Sequence, residues 1–237
     1  MKDTLPRSGS ILPTRERLAI VARAIEPILN RVVLVGPPVV DLLMNDPVVR
    51  PPDLTFAADS TLQLLSTSMI DRLGVDLQKR GLSRIGRTAN ADRWSVSDNV
   101  ALDLVQVRAD DNDPGQAWLE YATLLTLSFP ADEHLLVRVA GAPAMLALEL
   151  ASFGQGSSRT LESEELERVV LLIAGRTGTE QECAAAPPEL RSMIASSLAR
   201  LARDDALEIL IQRALPDAAL LPSLARRVRE RIQRMAC

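Results

Sequence analysis

Lysine, histidine, cysteine and aromatic residues are all scarce in this 237-residue chain, and each scarcity narrows what the protein does. Lys2 and Lys79 are the only lysines, so 25 of the 27 basic residues are arginine. The coding bias of a G+C-rich bacterial genome accounts for that; selection for bidentate phosphate contacts is the sharper alternative. Either way, a lysine-dependent step has almost no candidate residue. The two cysteines, Cys183 and Cys237, make no disulfide framework and no zinc site, and they fit a reducing compartment. Aromatics at 3% leave little for stacking bases. No apolar run approaches the roughly 18–20 residues that cross a bilayer. The opening MKDTLPRSGSIL is polar and broken by proline, unlike a secretory leader. A net charge of −4 supplies no global field for nucleic acid. A cytoplasmic protein without membrane association is the expectation, and 47% apolar residues make it globular.

Periodicity predicts an α+β chain. Apolar positions Leu18, Val21, Ile25 and Ile28 space a helix over 15–30, and the β-branched run 31–36 reads as a buried strand ending at Gly36. A short helix over 38–44 and a loop over 45–52 follow, then a second strand over 53–59 beside the first. Leu62, Leu65, Met69, Leu73 and Leu77 predict one long helix over 60–81, with Ser60 as its cap. Ile85 opens a short strand. Residues 93–108 read as a hairpin turning at 97–99, 110–115 as an acidic turn, and 134–140 as the last strand. Helices are expected over 143–153, 162–174, 180–186, 188–203, 205–213 and 217–236. The domain plan is a free N-terminus over 1–14, an α/β domain over 15–140 and a helical domain over 141–237.

This order resembles the nucleotidyltransferase superfamily, in particular the abortive-infection toxins of bacterial type IV toxin–antitoxin systems. RVVLVGPPVVDLLMNDPVVRPPDLTF (31–56) is similar to that family's opening: strand, Gly-Gly or Gly-Ser, helix, loop, Asp-x-Asp. ALDLV (101–105) resembles the strand with its third carboxylate, VAGAPAMLALELASF (139–153) the helix bearing its lysine, and LESEELERVVLLIAGR (161–176) the helix that begins Asp-Leu-Glu-Asp. The resemblance implies a small mixed sheet with flanking helices, a helical C-terminal region, and metal-dependent transfer of a nucleotide from a triphosphate. That chemistry needs carboxylates converging on divalent ions, backbone donors near the phosphates and a cation to offset triphosphate charge.

At the matching positions the apolar residues are kept and the charged ones depart. Gly36 is present, but Pro37 and Pro38 follow it and have no N–H for a phosphate. The first aspartate matches Asp53 and the second falls on Thr55, in the register that turns Leu54 and Phe56 to the core. The third matches Asp103. The lysine position falls on Glu149, and the Asp-Leu-Glu-Asp run becomes Glu165, Leu166, Glu167 and Arg168. Catalytic and metal-binding roles therefore rest on Asp53 and Asp103 alone. Gly36, Thr55, Glu149 and Glu165 mark the nucleotide-binding positions, and Mg²⁺ is expected to bind weakly or not at all.

The favoured function is a catalytically impaired nucleotidyltransferase-fold protein that acts by binding or regulation. A working enzyme that adds Asp59 or Glu165 to Asp53 and Asp103 is the second reading. The third is an interaction module whose C-terminal helix supports oligomers. That helix carries Arg226, Arg227, Arg229, Arg231 and Arg234 around an apolar stripe; it reads first as a docked helix and second as a contact for RNA or a protein partner. His134 reads as a polar residue at a strand entrance, Cys183 as a small packing residue, and Asp110–Asp113 as a solvated turn without calcium-loop spacing.

Overall fold

The computed structural model describes residues 14–49, 62–88, 91–98, 100–108, 114–155, 163–215 and 222–237. Helix α1 (Thr14–Ala24) buries Leu18, Val21 and Ala22 at helical spacing and runs through Ile25 into a 3-10 turn over Glu26–Arg31, where Pro27 fits an opening position. Strand β1 (Val33–Val35) is buried at every residue, as an internal strand covered on both faces should be. Gly36 then adopts φ 90°, a conformation that favours glycine, and lets the chain turn directly into α2 (Pro37–Leu43).

Strand β2 (Leu62–Ser66), helix α3 (Ile70–Lys79), and strands β3 (Ser83–Arg87), β4 (Ala91–Ser97) and β5 (Val100–Gln106) follow. Next come α4 (Pro114–Leu124), β6 (Thr126–Pro130) and β7 (Leu136–Ala140). The seven strands form one mixed sheet in the order β3-β4-β5-β2-β1-β7-β6, with β2–β5 and β1–β7 parallel and the other pairs antiparallel. Helices α5 (Ala142–Gln155), α6 (Glu164–Gly175), α7 (Thr179–Ala184), α8 (Pro188–Ala202), α9 (Leu207–Ala214) and α10 (Pro222–Met235) complete the described chain. The α+β class and the helical C-terminal region are thus as expected, and buried apolar residues from Leu18 to Ile232 form a continuous cluster.

One expectation is corrected. The single helix over 60–81 is a strand, a short connection and a helix, because Leu62, Leu64 and Leu65 are buried as β2 between β1 and β5. Leucines on both faces of an internal strand mimic helical spacing over five residues. Among the described residues, β1 is flanked by β2 and β7. Residues 53–59, including Asp53, Thr55 and Asp59, lie outside the described residues, as do Ser60 and Asp110–Asp113. Helix α4 and strand β6 had no counterpart in the sequence pattern.

The helical region is locked to the strand–glycine–helix unit at one point. The N–H groups of Asn45 and Asp46 both donate to the Gly175 carbonyl at 2.8 Å. A Cβ at Gly175 would stand 2.6–3.3 Å from the Met44 side chain, so glycine permits this approach. Arg176 donates to the Leu43 carbonyl at 3.0 Å, and Arg227 pairs with Asp46 at 3.0 Å. Arg231, buried on α10, donates to the Ala174 and Arg176 carbonyls at 3.3 and 2.6 Å and to Glu180 at 3.1 Å. A guanidinium thereby satisfies carbonyls that the end of α6 leaves open.

Candidate functional site

Strand register assembles the site. Val35, the last residue of β1, lies opposite Gln63 on β2; Gln63 lies beside Asp103 on β5; Asp103 lies opposite Arg93 on β4. Directly paired residues share a sheet face, so Gln63, Asp103 and Arg93 form a polar row that begins next to Gly36. Gln63 is exposed and its side chain lies over Gly36, where an added Cβ would be 3.7 Å from Gln63 Oε1.

Asp103 lies on an internal strand, two strands from the β1–Gly36 turn. It is not a free carboxylate. Arg93 Nε and Nη2 donate to Asp103 Oδ1 and Oδ2, both at 2.8 Å, in a bidentate fork. The aspartate side chain is 15% exposed and the arginine 52%. The hydrogen bond and charge of Asp103 raise the Arg93 pKa further above its usual value. Sequence reading had not singled out Gln63 or Arg93. The signal for Arg93 was in the hairpin, obscured by an irregularity between Ser95 and Ser97 that shifts the pairing by one residue.

The turn after Gly36 offers no phosphate cradle. Pro37 and Pro38 lack N–H groups, and the Val39 N–H donates to the Gly36 carbonyl at 2.9 Å. Among the described residues, no group of three or more His, Cys, Asp and Glu side chains is placed to hold a metal ion.

Glu149 and Arg168 turn out to be partners. Arg168 Nε donates to Glu149 Oε2 at 3.0 Å between α5 and α6, with side chains 11% and 8% exposed, respectively. Arg168 also reaches Glu164 at 3.3 Å and Glu165 at 3.6 Å. Glu164 and Glu165 sit in the first turn of α6, which Ser163 caps, where negative charge suits the helix dipole. Burial pushes the Glu149 carboxyl up to about 7; Arg168 opposes that shift, and Glu165 and Glu164 reinforce it. The two charge departures read from the sequence thus meet in one ion pair. Three carboxylates around one guanidinium leave this corner acidic rather than cationic.

The remaining candidates fall into structural roles. His134 precedes β7, its N–H bound to Asp132 Oδ1 at 2.8 Å. Cys183 is buried among apolar residues, and burial raises its thiol pKa to about 12, far from a nucleophile's range. On α10, Leu224, Val228 and Ile232 are buried, while Arg227, Arg229, Arg231 and Arg234 pair with Asp46, Glu208, Glu180 and Glu180. No helix among the described residues is long and apolar enough to cross a membrane.

No protein-family model and no curated protein matches the chain. A crystal structure of an antigenic nucleotidyltransferase-like protein from Paracoccidioides brasiliensis superposes with a TM-score of 0.47 at 14% identity, over 90% of this chain and 92% of that one. The crystal structure of JHP933 from Helicobacter pylori superposes with a TM-score of 0.52 at 14% identity, over 96% of this chain and 94% of that one. The chain is therefore similar in fold to JHP933 along nearly the whole length of both.

Proposed function

We propose that this chain is a nucleotidyltransferase-fold protein with impaired catalysis that acts by binding or regulation, in a bacterial defence or toxin–antitoxin setting. The observation that carries this reading is the row beside Gly36, where Gln63 is neutral and Asp103 is forked by Arg93. The fold side rests on four ordered sequence segments that resemble the family and on a β1–Gly36–α2 turn with β5 carrying Asp103 nearby. The impairment side rests on charge. Mg²⁺ takes oxygen ligands in near-octahedral geometry and leans on one or two carboxylates, and in the row of Gln63, Asp103 and Arg93 the Asp103 carboxylate is already forked by a guanidinium. The acidic corner at Glu149, Arg168, Glu164 and Glu165 repels a triphosphate where the family's lysine would attract one.

A protein partner, such as an antitoxin-like product of a neighbouring gene, suits this reading better than RNA. Four of the five α10 arginines are ion-paired within the chain, which leaves little unbalanced charge for phosphates. The test is direct. The purified full chain, given each radiolabelled NTP with Mg²⁺ or Mn²⁺ and RNA or protein acceptors, is expected to transfer nothing above a no-protein control. Transfer at ordinary enzyme rates, lost in Asp103→Asn, overturns it.

A further inference from the structure

We infer that Arg93 is the resident cation of the sheet-face site, a fixed internal replacement for a divalent ion on Asp103. The inference deepens the proposed function and rests on it for the identity of the site, but its own warrant is the geometry of one side chain. Arg93 is positioned by strand register, opposite Asp103 across β4 and β5, so its guanidinium reaches the carboxylate without a loop or a partner to guide it. Both carboxylate oxygens are taken, each at 2.8 Å. A planar guanidinium matches that pair of oxygens in a way that a lysine or a hydrated ion does not. Gly86 on β3 lies opposite Arg93 on its other side and puts no side chain beside it; an added Cβ there would be 3.5 Å from the Arg93 Cβ. The guanidinium therefore leans on Asp103 with open space behind it.

A divalent ion entering this row meets one carboxylate already neutralised and a positive charge standing against it. Two changes separate the site from a metal site: a second acid and removal of Arg93. Gln63 is the position for the first, since β2 and β5 place it directly beside Asp103 at the strand spacing of about 4.8 Å.

Mn²⁺ titrated into the full-length chain, with the free ion followed by electron paramagnetic resonance, tests the assignment. The wild type and Gln63→Asp are expected to bind Mn²⁺ equally weakly. Gln63→Asp combined with Arg93→Gln is expected to bind at least tenfold more tightly than Gln63→Asp alone, and Asp103→Asn added to that pair should abolish the gain. Arg93→Lys in place of Arg93→Gln keeps the charge but loses the fork; it should give a smaller gain, and it guards against misfolding of the glutamine variant. The inference is overturned if Gln63→Asp alone matches the double variants, if neither double variant gains affinity, or if the wild type binds Mn²⁺ in a manner that Asp103→Asn abolishes. Those outcomes concern Arg93 alone, whereas nucleotide transfer by the wild type sinks the functional reading whatever the titration shows.

Discussion

Two arginine–carboxylate pairs sit at positions where the resembled family keeps its chemistry, and they differ in nearly every physical respect. Arg93–Asp103 joins adjacent strands on an open sheet face, with the arginine half exposed and both carboxylate oxygens held. Glu149–Arg168 joins two helices with both side chains almost fully buried, and the carboxyl is pushed toward neutrality. The first pair, with its guanidinium half exposed, is expected to do little for stability, and on the proposal above it governs what Asp103 can bind. The second is almost fully buried and matters for how α5 and α6 pack. An arginine beside a carboxylate therefore has two different structural settings here. On an open face a neighbouring cation can neutralise a retained acid cheaply, whereas in the interior a reversed charge persists only if its partner reverses too.

The sharpest way to break that contrast is to reverse one member of the buried pair. Glu149→Lys would set an ammonium against Arg168 in a buried position, and roughly 3–5 kcal/mol of stability should be lost, as for a broken buried ion pair. Adding Arg168→Glu should recover more than half of the loss, because it restores one charge of each sign. Urea denaturation of the two single variants and the double gives the coupling directly; simple additivity would mean the two residues do not act as a pair.

Acidity sharpens the same contrast. The folded-state pKa of Glu149, about 7, lies above its unfolded value near 4.5, so the folded protein holds this proton more tightly than the unfolded chain does. The contribution is complete below about pH 4.5 and is lost as pH rises to about 7, at a cost of up to about 3 kcal/mol. Glu149→Gln, which imitates the protonated form, should flatten this fall, so the variant gains on the wild type between pH 5 and 8. Parallel stability–pH curves for the two proteins would show that Glu149 is not the titrating group.

A third comparison concerns the lock between α10 and α6. Arg231→Ala should lower stability by about 2 kcal/mol, since it takes the guanidinium donor from the Ala174 carbonyl, leaves the Arg176 carbonyl to Thr179 alone and frees Glu180 of a partner. Arg229→Ala, whose partner Glu208 is largely solvated, should cost less than about 0.5 kcal/mol. Equal effects of the two would mean that α10 is held by its apolar stripe alone.

How far the sequence exposed this arrangement varies from place to place, for identifiable reasons. The β1–Gly36–α2 turn, the β4–β5 hairpin and the six C-terminal helices are legible because each carries its own period and its own punctuation by glycine or proline. Strand β2 is not, since Leu62, Leu64 and Leu65 are buried on both faces of an internal strand and supply helix-like spacing with Met69, Leu73 and Leu77. That error hid Gln63, which becomes a site residue only when β2 is placed beside β5. The Glu149 and Arg168 departures were each visible, but nothing in one sequence joins residues nineteen positions apart on different helices. Arg93 was hidden by one residue of register. Had the hairpin continued unbroken from Ser97 opposite Val100, Asp103 would face Trp94; the irregularity between Ser95 and Ser97 moves it onto Arg93.

A small expected effect at the sheet-face pair is also the most discriminating. Arg93→Ala removes a bidentate pair, yet stability should change by less than about 1 kcal/mol, because the guanidinium is half exposed and Asp103 can turn to water once it is released. Thermal melts at low and high salt should nearly coincide with those of the wild type. A loss as large as that of Glu149→Lys would mean that Arg93 holds the hairpin together, and its place on Asp103 would then need no explanation beyond folding. A near-neutral variant instead leaves the pair with a chemical consequence, the closing of Asp103 to cations, as what distinguishes it from the buried pair between α5 and α6.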